Sequence, residues 1–237
     1  MAWRLQLFAL CVLFISTTLV QSNVLSSKIN KDNCEAGLNC KLPDCFCRGT
    51  QIPKGLKAKD IPQMIMITFD DAVNVQVFKF VEAIVNGGIT NPNGCKISTT
   101  YFNSHEWTDY FMLNDLYHQR QEVADYTITH RTPIPWWKNA TYTQWDNEIW
   151  GQKQIQGRWG KIALEDVKGF RAPFLQIGGN NQFKVLYDRK FLYDSSMPTK
   201  QMNPPLWPYT LDFPSTQECN IPPCPTGMYK FVTGCSG

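Results

Sequence analysis

Met64-Ile65-Met66-Ile67-Thr68-Phe69 is an apolar run that stops at two adjacent carboxylates, Asp70 and Asp71. Its length and sharp end suit a strand buried on both faces. Val73, Val77, Phe80, Val81 and Ile84 then recur at helical spacing until Asn86-Gly87-Gly88 breaks the pattern. The alternation continues with a Thr-rich strand over 95–102, a helix over 108–120 and a short strand over 122–126. A helix over 143–153 carries Trp145, Ile149 and Lys153 on its repeat; a strand over 167–174, a helix over 181–190 and a strand over 191–194 complete the regular part. Strands alternating with helices predict an α/β fold with a mainly parallel sheet. From residue 203 onward, Pro204, Pro205, Pro208, Pro214, Pro222, Pro223 and Pro225 predict an irregular path.

Composition adds a compartment. Residues 1–22 combine Arg4, an apolar core over 7–15 and a Val20-Gln21-Ser22 cleavage site, the pattern of a secretory signal peptide, and the core is too short for a membrane span. Of nine cysteines, Cys11 lies in this leader; Cys34, Cys40, Cys45, Cys47, Cys95, Cys219, Cys224 and Cys235 remain. An even number in an exported chain predicts up to four disulfides; a metal knot at the dense 34–47 group is the alternative. The organisation expected is a leader over 1–22, a cysteine-rich segment over 23–54 stapled onto the main domain, and that domain over 55–237. Asn139-Ala140-Thr141 is an N-glycosylation sequon. With 23 Lys and Arg against 20 Asp and Glu and no basic run, the chain carries no electrostatic footprint for nucleic acid or an anionic membrane. A neutral substrate suits this balance.

The candidate chemistry starts at the acid pair. Successive strand residues point to opposite faces, so Asp70 and Asp71 cannot oppose each other across a sugar ring as a glycosidase acid and nucleophile do. They are fitted for two different jobs, the plain structural alternative being a turn or helix cap. Further along stand Tyr126-Thr127-Ile128-Thr129-His130, Gly169-Phe170-Arg171-Ala172-Pro173-Phe174 and Tyr193-Asp194-Ser195-Ser196. In this order the segments resemble the polysaccharide deacetylases with the NodB homology domain, most closely those of the arthropod chitin deacetylase type. The resemblance runs from about Cys34 to Thr226. It implies a distorted (β/α) barrel, here expected to lack its last elements.

It also implies roles. Asp70 takes the place of the general base and Asp71 that of a metal ligand, the metal being zinc or cobalt. The family's second motif places two histidines four residues apart; His130 keeps the second position, and Tyr126 stands at the first. A neutral phenol is a poor ligand because its reference pKa of ~10 makes the phenolate costly. Arg171 matches the arginine that orients the base, and its charge is expected to lower the Asp70 pKa. Asp194 matches an acid that positions a late histidine, the proton donor to the leaving amine, but no histidine follows His130. His105 and His118 are read as structural. The implied partner is chitin or another N-acetylglucosamine polymer, with Trp136, Trp137 and Trp207 as candidate stacking surfaces. Two readings follow: a secreted, metal-dependent chitin deacetylase in impaired form, or a non-catalytic carbohydrate-binding or matrix protein on the same scaffold.

Overall fold

The computed structural model describes residues 33–233; the leader expected over 1–22, together with Cys11 and Cys235, lies outside them. Among the described residues, β1 (Thr68–Asp71), β2 (Thr100–Asn103), β3 (Glu122–Asp125), β4 (Gly169–Phe170), β5 (Tyr193–Asp194), β6 (Tyr209–Leu211) and β7 (Tyr229–Thr233) form one sheet in the order β1-β2-β3-β4-β5-β7-β6. Every ladder is parallel except that between β6 and β7. Helices α1 (Val75–Val85), α2 (Tyr110–His118), α3 (Pro135–Asn139), α4 (Tyr142–Trp159) and α5 (Gly179–Asp188) lie between the strands. This is the α/β architecture with a mainly parallel sheet that the alternating pattern predicts; among the described residues the sheet runs from β1 at one edge to β6 at the other.

Local chemistry explains where the helices start. The Asn74 side chain accepts from the backbone N–H groups of Gln76 and Val77, and Asp109 does the same for Phe111 and Met112. At α4, Thr141 and Gln144 form a reciprocal capping box. The outer sheet face packs Tyr101 and Val123 under Leu113, Leu116, Trp145, Ile149, Phe183 and Leu186. The alternate residues of the same strands, Phe102 and Ala124, form a separate inner cluster with Tyr126 and Tyr193. A Cβ on Gly169 would lie 2.0 Å from the Tyr193 ring, so the missing side chain gives that ring its place on the inner face.

Several elements differ from the expectation. Only the end of the first apolar run is a strand, and Met64, Ile65 and Met66 are exposed where burial on both faces was expected. The reason is position: β1 is an edge strand, and residues 65–68 run along an open cavity of about 600 Å³ whose far walls include Leu192, Pro208 and Val232. The expected strands over 95–102 and 167–174 shrink to β2 and β4, the latter ending where Pro173 begins a 3-10 turn. α4 runs six residues beyond the expected end at Lys153, to Trp159. The proline-rich region is not wholly irregular: it contributes β6 and β7, and the latter extends the sheet beside β5.

The cysteine-rich segment carries disulfides Cys34–Cys47 and Cys40–Cys45, and Cys219–Cys224 closes a third loop. Its backbone pairs with the β6 region, Phe46 with Thr210 and Gly49 with Trp207. The three disulfides fall within the expectation of up to four; Cys95 is a free thiol, exposed in the connection between α1 and β2. No helix among the described residues is long and apolar enough to cross a membrane.

Candidate active site

Parallel register gathers the acids at one end of the sheet. Asp71 pairs with Asn103, Asn103 with Asp125, Asp125 with Phe170 and Phe170 with Asp194, so all lie at the C-terminal ends of their strands. Parallel α/β sheets present their functional groups at that end. Strict alternation fails at Asp71, whose φ of 74° is left-handed. Asp70 and Asp71 therefore both have partners in the same cleft.

The Asp70 carboxylate accepts from Arg171 Nη1 at 2.6 Å. Arg171 is itself fixed: Nη1 also donates to the Thr68 hydroxyl, Nε to the Ser195 carbonyl and Nη2 to the Ser195 hydroxyl, while its guanidinium carbon lies 4.0 Å from the Phe102 ring centroid. This geometry aims Asp70. It does not lower its pKa as expected: burial raises the carboxyl above its ordinary value and outweighs the opposing Arg171 charge.

His130 Nε2 faces Asp71 Oδ1 at 3.7 Å. The imidazole is packed between Tyr126, at 4.9 Å between ring centroids, and Phe174, at 4.4 Å. Tyr126 is buried in the inner cluster; burial first, then the charges of Asp70 and Asp71, push its hydroxyl well above the usual phenol range, which keeps it a neutral phenol. A carboxylate oxygen and an imidazole nitrogen at this separation can share one divalent cation. The donor set therefore fits a metal through two good ligands, Asp71 and His130, with the Tyr126 phenol beside them. Among the described residues, the one group of three or more metal-type side chains with converging atoms is Cys34, Cys40 and Cys45, all engaged in disulfides.

The loop carrying His130 is strained, with Thr127 at φ 72° and His130 at φ 41°. Glu148 of α4 holds it, accepting from the backbone N–H of Ile128 and Thr129 and from the Thr129 hydroxyl. Asp194 is fully buried and touches no histidine; it accepts from the Ser196 N–H, the Ser196 hydroxyl and Gln182. The Ser196 hydroxyl oxygen in turn accepts from the Ala172 N–H. Asp194 thus braces the segment that presents Arg171.

Glu148 and Phe174 were not singled out as site residues by sequence. A signal existed for the first: Glu148 falls on the buried stripe of Trp145, Ile149, Gln152 and Gln156. Phe174 appears in the sequence only as the last residue of the Arg171 segment and of the strand expected over 167–174. Trp137, a candidate stacking surface, is fully buried against Trp136 and Trp145, its indole N–H donating to the Arg131 carbonyl. Trp136 and Trp207 are half-buried. His105 contacts the Tyr110 hydroxyl at 2.9 Å, and His118 packs beside Tyr117, both apart from the Asp71–His130 pair.

A carboxylate clamped by an arginine thus stands beside a carboxylate–imidazole pair at the C-terminal strand ends of the mainly parallel sheet. Chitin deacetylase 8 of Bombyx mori is 45% identical over 188 residues, 79% of this chain and 49% of that protein. Chitin deacetylase 1 of Bombyx mori is 44% identical over 191 residues, 79% of this chain and 35% of that protein. The chain is thus similar to chitin deacetylases over most of its own length, and it spans about half the length of the first of these relatives and about a third of the second. No family model matches. Among solved structures it is similar to a family 4 carbohydrate esterase from Streptomyces lividans in complex with acetate, with a TM-score of 0.43, 18% identity, and coverage of 57% of this chain and 62% of that one. A family 4 acetyl xylan esterase from Clostridium thermocellum with a cobalt ion gives a TM-score of 0.44 at 13% identity, covering 57% and 58%.

Proposed function

We propose that this protein is a secreted, chitin-directed member of the deacetylase family that holds N-acetylglucosamine polymers across the Asp70–His130 cleft and is impaired in hydrolysing their N-acetyl groups. The relation to chitin deacetylases supports the polymer, and the disulfides support an oxidising, extracellular setting. The observation that carries the reading is the Arg171–Asp70 pair set beside Asp71 and His130, with Tyr126 in the first histidine position.

In this reading Asp70, aimed by Arg171, accepts the proton of a water that attacks the acetamide carbonyl. Asp71 and His130 would hold zinc or cobalt, which would supply Lewis-acid charge to the carbonyl and the water. Tyr126 keeps its proton and brings no negative charge to the ligand set. The second reading, a non-catalytic carbohydrate-binding protein, is favoured by the Tyr126 phenol. Acetate release from N-acetylglucosamine oligomers with added metal, compared between wild type and Asp70→Asn, decides between them. Slow release that depends on Asp70 supports impaired hydrolysis, and none at all leaves the binding protein. Brisk Asp70-dependent turnover overturns the impairment, and failure to bind oligomers overturns the polymer assignment.

A further inference from the structure

Trp107 has the environment of neither a core residue nor an ordinary loop residue. It is 80% exposed, so its indole contributes little to the fold. Its φ of 67° is left-handed, a conformation that suits glycine or asparagine and strains a bulky aromatic. A residue that is both strained and exposed needs a reason outside stability.

The backbone around it is rigid. The Ser104 N–H donates to the Asp71 carbonyl and the His105 N–H to the Ile128 carbonyl, both at 3.3 Å. Thr108 ties the turn shut: its N–H donates to the His105 carbonyl, its hydroxyl donates to the Ser104 carbonyl at 2.7 Å, and that hydroxyl oxygen accepts from Asn103 Nδ2 at 2.6 Å. The Asp109 N–H then pairs with the Val73 carbonyl. Trp107 thus stands at the corner of a locked turn that is hydrogen-bonded on one side to the Asp71 residue and on the other to the loop leading to His130. With His105, Ile128 and Thr129 it lines a shallow depression of about 560 Å³ on that side of the cleft.

We propose that Trp107 is the stacking platform of a sugar subsite next to the reacting unit, taking the apolar face of a neighbouring pyranose ring of the polymer. The proposal rests on the polymer reading above. A pyranose offers a flat array of C–H groups that matches an indole face, while its hydroxyls stay in water or meet the polar Glu106 and Thr129 at the rim. Because the turn is already fixed, binding orders little additional backbone.

Isothermal titration of an N-acetylglucosamine hexamer tests this with wild type, Trp107→Asn and Trp159→Ala, the last removing another exposed indole from the end of α4. Asparagine tolerates the left-handed backbone, so the Trp107 variant should melt at the same temperature or higher. It should bind the hexamer roughly three- to tenfold more weakly, while Trp159→Ala binds as wild type. Equal affinity in Trp107→Asn overturns the subsite but leaves the polymer reading intact. A lowered melting temperature assigns the indole a structural role and overturns it too. If wild type itself shows no saturable hexamer binding, both readings fall.

Discussion

The Glu148 carboxylate accepts both the backbone N–H and the hydroxyl of Thr129, at 2.9 and 2.8 Å. It reaches from α4 to the loop that carries His130, and it satisfies the Ile128 N–H as well. A buried side chain thereby sets the angle of a metal-type ligand that it never touches.

Replacing this carboxylate should loosen His130 before it harms the fold. Glu148→Gln retains the size of the side chain but turns an N–H donor toward donors. We expect divalent-metal affinity to fall by ~10-fold or more, as for other supporting partners of ligand residues. The comparison is best made by zinc titration in a Tyr126→His background, with circular dichroism as the check on folding. Unchanged affinity would show that the loop holds itself.

Tyr126→His should tighten zinc or cobalt binding relative to wild type, because a neutral imidazole replaces a phenol that burial and two neighbouring carboxylates keep protonated. Turnover should improve less than affinity, since groups acting as one unit do not add. A wild-type protein that already binds tightly and gains nothing from the substitution would remove Tyr126 from the ligand position.

Asp194 gives the fold a pH dependence. Burial raises its pKa from the ordinary 3.8 to about 6, against the Ser196 and Gln182 hydrogen bonds that favour the anion. The folded state therefore binds the proton more tightly than the unfolded chain. The resulting stabilisation is full below the unfolded pKa and is lost as pH rises through about 6, on the order of 3 kcal/mol. Urea unfolding at pH 4, 5, 6 and 7 should show stability declining across this range, with a shallower decline in Asp194→Asn. Asp125, also buried with a raised pKa, adds a slope of the same sign that the variant leaves in place. Parallel profiles would refute the assignment to Asp194.

Alkylation of the native protein should mark Cys95 at once and leave Cys34, Cys40, Cys45, Cys47, Cys219 and Cys224 unlabelled until a reductant is added. Opening Cys34–Cys47, whose partners are separated by 13 residues, should cost ~3 kcal/mol on a loop-entropy account. Peptide mass mapping reads the result. Labelling of Cys34 or Cys47 without reductant would contradict the pairing.

The legible parts of this molecule are those with local causes. The helices announced themselves by apolar period, and the acid pair and Arg171 stood in recognisable runs. What escaped depended on distant partners. Asp71 faces His130 through a left-handed backbone that a strand pattern does not encode. Glu148 reads as one more helix acid until the loop twenty residues earlier folds onto it. Asp70 looked like a carboxylate governed by its arginine, whereas the surrounding mass decides its proton affinity. β6 and β7 hid among prolines because each has only a few residues, held by neighbours instead of by its own pattern.

The bare rim of β1 bears on how these residues behave at high concentration. Among the described residues its outer edge has no strand partner, and Met64, Ile65 and Met66 lead into it uncovered. Such a rim is a template for strand addition by any chain that meets it, including another molecule emerging from denaturant. Scattering that grows with concentration is the expected symptom, and lysines at Ile65 and Met66 would act as gatekeepers. Without them, refolding yield should be set by dilution more than by the cleft a few residues away.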